Sequence, residues 1–399
     1  MNRLKRLGKN GSRLLTVVLL IALTFGFAMF QGGFVSWFIF FTVIPFFLYS
    51  LALGLVPLHF DAIERIVTPS YIQRGDHATV TVRFRNRSWF PIIFVIAQEA
   101  HIPETFYRSM HVAPSKLFLV GWRRHFEWTY EVRNTMRGEH TLPSLQFTVA
   151  DFFGWIERTF EVEGATHFVV YPKATEMKNT SLHLQYEQGA TATKFSMMKD
   201  TTMATGVREY RPGDRFSWIH WKSFAKNGDL RTKEFEDRQS QKLYVLLDRA
   251  KQPLFEGAVD LTASIVTSLI KSSAELSFIT GDNKQGSFAH LRTAQQADKV
   301  LHYLAGVEER PTYDVLTLLR QEVQIQGGVL LLVTSNVREE LMALLMSGSK
   351  YAKAIICFVV VTKEQMRDVS SLRQPTGDNR IVYVTTEMFA HAFAEVNKG

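Results

Sequence analysis

The chain has 399 residues, of which 46% are hydrophobic and 21% are charged, so it is long enough for several domains and too apolar to be a disordered protein. Its net charge is +8 with a pI of about 9.4, but the basic residues are dispersed, which argues against a dedicated nucleic-acid-binding protein. The single cysteine, Cys357, excludes a framework of internal disulfides and is typical of a reducing compartment.

Two apolar segments follow a basic N-terminus. Residues 14–30 and 34–56 carry no charge, and each is close to the roughly 20 residues that a spanning helix needs. We predict two transmembrane helices within residues 1–60, and not a signal peptide, because the second segment follows at once without a cleavage-type site. Basic residues precede the first helix and are absent from the loop at residues 31–33. The positive-inside rule therefore predicts a multi-pass protein of the cell membrane, with both termini and all soluble domains in the cytoplasm.

Residues 61–175 alternate between apolar and polar side chains with period two. The alternation is cleanest in residues 78–85 and 126–133, and short turn-forming sequences separate the segments. This pattern predicts an antiparallel β-sandwich. The outward arginines at 83, 85 and 87 leave two interpretations open, a solvated face or contact with lipid headgroups.

Residues 176–242 form a linker followed by a long motif. Residues 208–236 read REYRPGDRFSWIHWKSFAKNGDLRTKEFE. Pro212 and Gly213 have the chemistry of a type II turn, and Asp214 is placed to cap a short helix that ends at Asn227-Gly228. Aromatic and basic side chains are interleaved in that helix, a mixture that no single catalytic scheme requires.

This motif resembles the signature of a bacterial family, domain of unknown function 58, whose members are membrane-anchored and carry a von Willebrand factor A-like domain. The matching residues are Arg208, Tyr210, Pro212, Gly213, Asp214, Ile219, Trp221, Lys222, Ala225 and Lys233-Glu234-Phe235-Glu236. Ser217 stands where the family often has arginine. Upstream matches are Arg137-Gly138, Asp151-Phe152-Phe153-Gly154 and Val170-Tyr171-Pro172. The motif serves either as a structural brace or as a partner contact, and the two roles can coexist.

Residues 243–399 show short apolar strands alternating with amphipathic helices. The predicted helices are residues 254–274, 294–308, 315–323, 337–346 and a closing helix over 387–396. The strands are almost continuously apolar, which predicts a mostly parallel, doubly wound sheet. The expected protein is thus multidomain: two N-terminal transmembrane helices, an antiparallel β-sandwich, and a C-terminal α/β von Willebrand A-like (Rossmann-type) domain.

The resemblance implies a metal site of the form D-x-S-x-S after the first strand of this domain. Here that stretch begins at Asp248, but Ala250 has no side-chain oxygen and Gln252 replaces the second serine. Residues 334–336, after a later strand, offer no carboxylate. Because a divalent cation needs several hard oxygen ligands, we expect a degenerate site with no metal and no cofactor. Asp248 is then expected to pair with Arg249, Lys251 or an arginine of the motif.

The sequence contains no H-E-x-x-H, C-x-x-C, Walker A or G-x-S-x-G motif. We therefore predict no catalytic residues and a non-enzymatic adaptor or scaffold. The resemblance implies a MoxR-type AAA+ ATPase as its partner, in complex assembly or envelope-related processes, and sometimes a membrane transglutaminase-like protein. Arg249 and Lys251 form the predicted docking face.

Two alternatives remain open. One is an enzyme of unrecognised chemistry. The other is a membrane-associated nucleic-acid-binding protein, because aromatic and basic side chains at 218–226 suit a single-strand stacking surface if Trp218 and Trp221 are exposed.

Overall fold

The computed structural model describes residues 2–102, 114–178, 185–186, 193–194, 204–211, 218–235, 242–272, 274–280, 287–311, 314–321, 325, 327–346, 351–369, 375 and 378–396. The chain divides into two compact units, Met1–Tyr171 and Pro172–Gly399. Each unit has its own hydrophobic core.

The first unit begins with two long helices, α1 (Asn2–Gln31) and α2 (Phe34–Leu55). They are joined at the predicted break, where Gly32 and Gly33 adopt φ values of 53° and 111° that only glycine tolerates easily. Residues 11–31 and 34–55 are long and apolar enough to cross a bilayer, and only 11% and 17% of the residues in their most apolar windows are buried. Such exposure is unlike that of a core helix in a water-soluble domain.

The described residues of the first unit also contain eight strands. They are β1 (Phe60–Thr68), β2 (Ile72–Gln73), β3 (Ala78–Asn86), β4 (Ile92–Ala100), β5 (Ser115–Gly121), β6 (His125–Val132), β7 (Gly138–Ala150) and β8 (Glu157–Tyr171). One sheet has the order β1-β3-β6 and the other β2-β8-β7-β4-β5. All pairs are antiparallel except β2 with β8. Residues alternate between buried and outward positions along β3, as predicted for a strand with one face on a core.

Side chains from both sheets share one apolar cluster. The ring of Phe60 on β1 stacks on that of Phe147 on β7, with 4.6 Å between centroids. One ion pair is buried among them. The Arg65 guanidinium forms two hydrogen bonds to the Glu99 carboxylate, at 3.0 and 2.9 Å, with both side chains inaccessible to solvent. The Tyr130 hydroxyl donates to the same carboxylate at 3.1 Å, and burial raises the pKa of that hydroxyl.

The second unit starts at Pro172, four residues before the predicted start at residue 176. Backbone amides of Lys173, Thr175 and Met177 donate to Asp260, Ser264 and Ser268, which recur every four residues along one helix. The segment after Tyr171 therefore runs along that helix and belongs to the second unit. Two short pairs of strands follow, β9 (Gln185–Tyr186) with β10 (Thr193–Lys194), and β11 (Ala204–Glu209) with β12 (Arg231–Phe235).

The main body of the second unit is a six-stranded sheet flanked by helices, in sequence positions close to those predicted. The strands are β13 (Leu243–Leu247), β14 (Leu276–Ile279), β15 (Phe288–Leu291), β16 (Val329–Thr334), β17 (Ala354–Val360) and β18 (Arg380–Val384). Their order is β15-β14-β13-β16-β17-β18, parallel except for the edge strand β15. Every residue of β13, β16 and β17 is buried, which explains their continuous apolar sequences.

The helices of this unit differ from the expectation mainly at the C-terminus. They are α3 (Trp221–Asn227), α4 (Phe255–Lys271), α5 (Ala294–Gly306), α6 (Val315–Gln321), α7 (Glu339–Met346), α8 (Lys363–Val369) and α9 (Ala392–Val396). Helix α8 was not predicted. The predicted closing helix over 387–396 is a 3₁₀ helix (Thr386–His391) followed by the short α9.

Candidate functional site

Strand order reverses between β13 and β16, and this is the position where open α/β sheets bind ligands at the carboxyl ends of their strands. Leu247 pairs with Val333 in register, so the next residues, Asp248 and Thr334, lie side by side at that edge. The Asp248 amide donates to the Val333 carbonyl at 2.9 Å. The parallel register thus brings the predicted acidic residue to the expected place.

The Asp248 side chain is 1% exposed and held by its own chain. One carboxylate oxygen, Oδ1, accepts from the Ala250 amide at 3.0 Å, and Oδ2 lies 3.1 Å from the Thr334 hydroxyl. The same hydroxyl is 3.1 Å from Oε1 of Gln252. The Asn336 carbonyl is a third acceptor, 3.2 Å from this hydroxyl. A hydroxyl has one proton, so Thr334 donates to one of these three acceptors at a time.

Gln252 lies across the strand ends. Its Nε2 donates to the Asp248 carbonyl at 2.6 Å, and its Oε1 accepts from the Ser335 amide at 2.6 Å. The side chain is 6% exposed. The Gln252 side-chain amide therefore bridges two strand ends.

Arg338, which was not among the residues predicted to pair with Asp248, lies beside its carboxylate. Arg338 Nη2 is 3.8 Å from Asp248 Oδ2, so the cation next to Asp248 comes from the segment after β16, not from the residues predicted. Burial raises the pKa of Asp248, while the Ala250 amide and Arg338 oppose that rise. Arg338 also contributes to the lowered pKa of Asp314, whose largest cause is a hydrogen bond from Thr317.

These contacts do not fit a divalent cation. Ala250 supplies an N–H donor instead of an oxygen, Gln252 Oε1 already accepts a backbone hydrogen bond, and Arg338 brings a positive charge near the Asp248 carboxylate. Among the residues that the structure describes, no three His, Cys, Asp or Glu side chains are grouped as metal ligands. We name this set the strand-end edge: Asp248, Gln252, Thr334, Ser335 and Arg338.

The predicted docking face needs correction at Arg249. Its side chain is 5% exposed, and its guanidinium donates to the Glu308 carbonyl and to the Tyr303 hydroxyl, each at 3.2 Å. Arg249 therefore ties the loop after β13 to the segment after α5 and does not lie on an exposed face. Lys251, two residues later, is exposed.

The signature motif forms a small substructure of two strands and one helix within the second unit. Arg208 lies on β11 opposite Thr232, and the Tyr210 amide donates to the Leu230 carbonyl at 3.0 Å. Ile219, 2% exposed, pairs with Thr232 in an isolated bridge. Pro212, Gly213, Asp214 and Glu236 lie outside the described residues, so the predicted turn is not described.

Helix α3 ends as predicted but begins differently. Gly228 adopts φ 75° and terminates the helix, because glycine accepts the left-handed conformation of this position. At the other end, His220 is the N-cap: its Nδ1 accepts from the Ser223 amide at 3.2 Å and lies 2.7 Å from the Ser223 hydroxyl. The cap is therefore a histidine six residues after the predicted Asp214.

Three aromatic side chains of this motif face outward. Trp221 is 59% exposed, Phe224 42% and Trp218 38%, and the rings of Trp221 and Phe224 meet edge to face at 6.2 Å. Lys222, Ala225 and Lys226 on the same helix are also exposed. We name Trp218, Trp221, Lys222, Phe224 and Lys226 the α3 surface. Its aromatic rings are as apolar as the side chains of a hydrophobic core, but they are exposed to solvent.

Sequence and structure comparisons place these features in a family context. The family model described as "Protein of unknown function DUF58" matches residues 206–373, which include α3 and most of the six-stranded sheet. A relative from Bacillus subtilis (strain 168), "Uncharacterized protein YeaD", is 30% identical over 352 residues, covering 87% of this chain and 88% of its own.

Solved structures give only weak similarities. The CARDB domain of the Pyrococcus furiosus PF1109 protein, in complex with di-metal ions, is 13% identical with a TM-score of 0.18, over 27% of this chain and 92% of its own. The Pseudomonas fluorescens alkylpurine DNA glycosylase AlkC is 15% identical with a TM-score of 0.16, over 30% and 32%. Neither similarity carries an argument about fold or function. The relative at 30% identity spans most of both chains, and so this chain belongs to the DUF58 family.

Proposed function

We propose that this protein is a membrane-anchored, non-enzymatic adaptor that binds a partner protein through the α3 surface. The exposure of Trp218, Trp221 and Phe224 is the observation that carries the proposal. Tryptophan, tyrosine and arginine dominate the energetic centres of protein interfaces, and exposed aromatic clusters on soluble domains mark such surfaces. Lys222 and Lys226 add positive charge that would favour an acidic partner and raise its association rate.

The anchor in this proposal is the helical pair α1 and α2. Their length, their apolar composition and their low burial support two membrane crossings. Five basic residues precede the first apolar segment, which supports cytoplasmic termini. The α3 surface would then face the cytoplasm. Reporter fusions after residues 33 and 60 should report opposite sides of the membrane.

The remaining domains are assigned by their sheet topology. Counted from β13, the six-stranded sheet has the order 3-2-1-4-5-6, which is typical of doubly wound folds and supports a von Willebrand A-like domain. The two antiparallel sheets of the first unit share one core, which supports a β-sandwich. In this assignment the strand-end edge stands at the position of a metal site, and its polar groups are hydrogen-bonded to one another.

The proposed partner is a MoxR-type AAA+ ATPase, which comes from the family resemblance described above. An adaptor role requires no chemistry from this chain, and the strand-end edge supports that view because its polar groups bond to each other. The proposal therefore transfers the contact with the partner from Arg249, which is buried, to the α3 surface.

A nucleic-acid-binding role is the second candidate, because the same exposure of Trp218 and Trp221 would allow base stacking beside lysines. Val207 on β11 and Leu230, one residue before β12, are 40% and 45% exposed and favour the protein partner. They extend the apolar area without adding positive charge, whereas a nucleic-acid groove would follow the phosphate backbone with basic residues.

Site-specific photocrosslinking in native membranes tests the proposal. A benzophenone amino acid would replace Phe224 in the full-length protein, and Met388, 36% exposed on a different helix, would be the matched control position. We expect crosslinks to the ATPase from position 224 and none from position 388. Crosslinks to nucleic acid would support the second candidate. If position 224 gives no crosslink to the ATPase with any nucleotide present, the adaptor proposal fails.

A further inference from the structure

The loop between β7 and β8, residues 151–156, packs against the side of helix α2. The rings of Phe152 and Phe153 lie 6.2 and 5.7 Å from that of Phe46, and Trp155 stacks on Phe47 at 5.0 Å. The loop is fixed there by Asp151, which is fully buried and accepts hydrogen bonds from the Ser50 hydroxyl and the Ile156 amide. Although Phe152 and Phe153 touch the helix, they remain 64% and 52% exposed.

The depth of this contact follows from helix geometry. Arg158 donates to the carbonyls of Leu53 and Val56, so a guanidinium marks the end of α2. Phe46 lies seven residues before Leu53, which is about 10 Å at 1.5 Å per residue. The exposed rings of the loop therefore lie about 10 Å along the helix from the polar end, toward its middle.

If the bilayer boundary crossed α2 before the level of the loop, too few residues of the helix would remain to span the hydrocarbon core. If α2 left the bilayer at Phe46, only residues 34–46 would remain inside, about 20 Å of helix against a hydrocarbon core of about 30 Å. The turn at Gly32 and Gly33 prevents extension at the other end. The whole of α2, about 33 Å, matches the hydrocarbon core, and this match places the loop inside the membrane boundary.

Two further loops lie at the same end of the first unit. Trp89, 69% exposed, precedes β4, and the neighbouring Phe90 stacks on Tyr49 of α2 at 5.4 Å. Trp122, 78% exposed, follows β5, whose last residue pairs with the first of β4. Exposed tryptophans beside Arg123 and Arg124 have the composition of protein segments at the membrane–water interface.

We propose that the loop at residues 151–155 is immersed in the acyl region of the bilayer beside α2, with Trp89, Trp122, Arg123 and Arg124 at the level of anionic lipid headgroups. The first unit is then seated in one leaflet in a fixed orientation, and is not held only by a flexible tether. This inference rests on the membrane crossings of the proposed function but not on its partner.

Fluorescence quenching in lipid vesicles tests the inference with the full-length protein. An environment-sensitive dye would be attached to Phe153→Cys or Trp122→Cys, in a Cys357→Ala background that removes the one native thiol. The vesicles contain equal parts of phosphatidylcholine and phosphatidylglycerol, with a nitroxide on either the acyl chain or the headgroup. Phe38→Cys, 60% exposed at the fifth residue of α2, is the control for crossing, and Met388→Cys is the control for water.

We expect loss of fluorescence at position 153 with the acyl-chain nitroxide, at position 122 with the headgroup nitroxide, and at 388 only with aqueous iodide. If position 38 is quenched by the acyl-chain nitroxide and position 153 by iodide alone, the loop is outside the membrane and the inference is wrong. If position 38 is also quenched by iodide alone, the membrane crossings themselves are wrong. Position 122 is highly exposed, so its variant should fold even if Phe153→Cys does not, and quenching at 122 by iodide alone would also overturn the inference.

Discussion

The strand-end edge and the α3 surface belong to the same unit, but their side chains differ in solvent exposure. At the strand-end edge, Asp248 and Gln252 are nearly inaccessible and bond to other groups of the edge. On the α3 surface, Trp221 and Phe224 project outward, although aromatic rings would contribute most to stability if buried. The position where this type of sheet usually binds a ligand is thus filled, and the unexplained apolar area lies on a helix.

This difference teaches where to look for function. Hydrogen bonds that close a site contribute to folding, and substitutions there should reduce stability. Exposed rings contribute little to folding, and substitutions there should reduce partner binding instead. The four substitutions that follow test this separation, from the largest expected loss of stability to the smallest.

The largest effect is expected at the buried ion pair of the first unit. It gives a reference value for the free energy of unfolding that a buried, hydrogen-bonded polar cluster contributes. Glu99→Ala leaves the Arg65 guanidinium buried without its carboxylate and should lower the free energy of unfolding by about 3–5 kcal/mol. Urea unfolding of the full-length protein in detergent, followed by the fluorescence of Trp128 in the same core, measures this. Arg83→Ala, which removes an exposed ion pair with Glu127, is the matched control and should cost below about 1 kcal/mol. If both variants lost a similar free energy of unfolding, burial would not determine how much a polar pair contributes to stability.

Gln252→Ala tests the strand-end edge directly. It removes the partners of the Ser335 amide and the Asp248 carbonyl, and should destabilise the edge by about 2–3 kcal/mol. Hydrogen exchange of the amides in β13 and β16 measures the local loss. Lys251→Ala, at the adjacent exposed position, is the control and should leave exchange unchanged. Unchanged exchange in Gln252→Ala would mean that the amide does not hold the strand ends together.

Asp314→Ala should cost about 1 kcal/mol because the carboxylate caps helix α6. Its oxygens accept from the Leu316 and Thr317 amides at 3.1 Å. The pKa of Asp314 is lowered in the folded state, so its stabilising contribution is present above the unfolded value of about 3.9 and is lost as the pH falls through the folded pKa. Hydrogen exchange of α6 should therefore differ between wild type and variant at neutral pH and converge in acid. A difference that does not change with pH would exclude the charge as the cause.

The smallest loss of stability is expected from Trp221→Ala. The sequence alone suggested about 3–5 kcal/mol if the ring were core, but at 59% exposure we expect below about 0.5 kcal/mol. Ile219→Ala is the matched control, because its side chain is 2% exposed in the same motif and should cost about 2–5 kcal/mol. Thermal unfolding of the full-length variants compares them. A large loss in Trp221→Ala would indicate a structural brace.

Much of the fold was predictable because periodicity reports burial directly. The uncharged segments predicted α1 and α2, and continuous apolar sequences predicted the buried strands of the second unit. Strand β1 was missed because Arg65 stands at one of its buried positions, where an apolar side chain would mark the core face. Strand β5 was missed because Leu117 and Leu119 are exposed, so its apolar side chains do not mark a core face.

The site was less predictable, because its contacts join distant parts of the chain. The loss of serine ligands at Ala250 and Gln252 was visible in sequence, but the bridging role of Gln252 depends on the register of two parallel strands. Arg338 follows Thr334 by only four residues, yet no local pattern shows that its side chain turns back toward Asp248. The burial of Arg249 is equally a property of the folded loop.

The most direct test of the central claim is the affinity of the full-length protein, in lipid nanodiscs, for the purified MoxR-type ATPase with and without nucleotide. Trp221→Ala combined with Phe224→Ala should raise the Kd about 10- to 100-fold, the effect of losing interface-centre aromatics. Gln252→Ala should keep the wild-type Kd although it weakens the fold. The opposite pattern, with unchanged binding in the double variant and lost binding in Gln252→Ala, would place the contact at the strand-end edge and contradict the account.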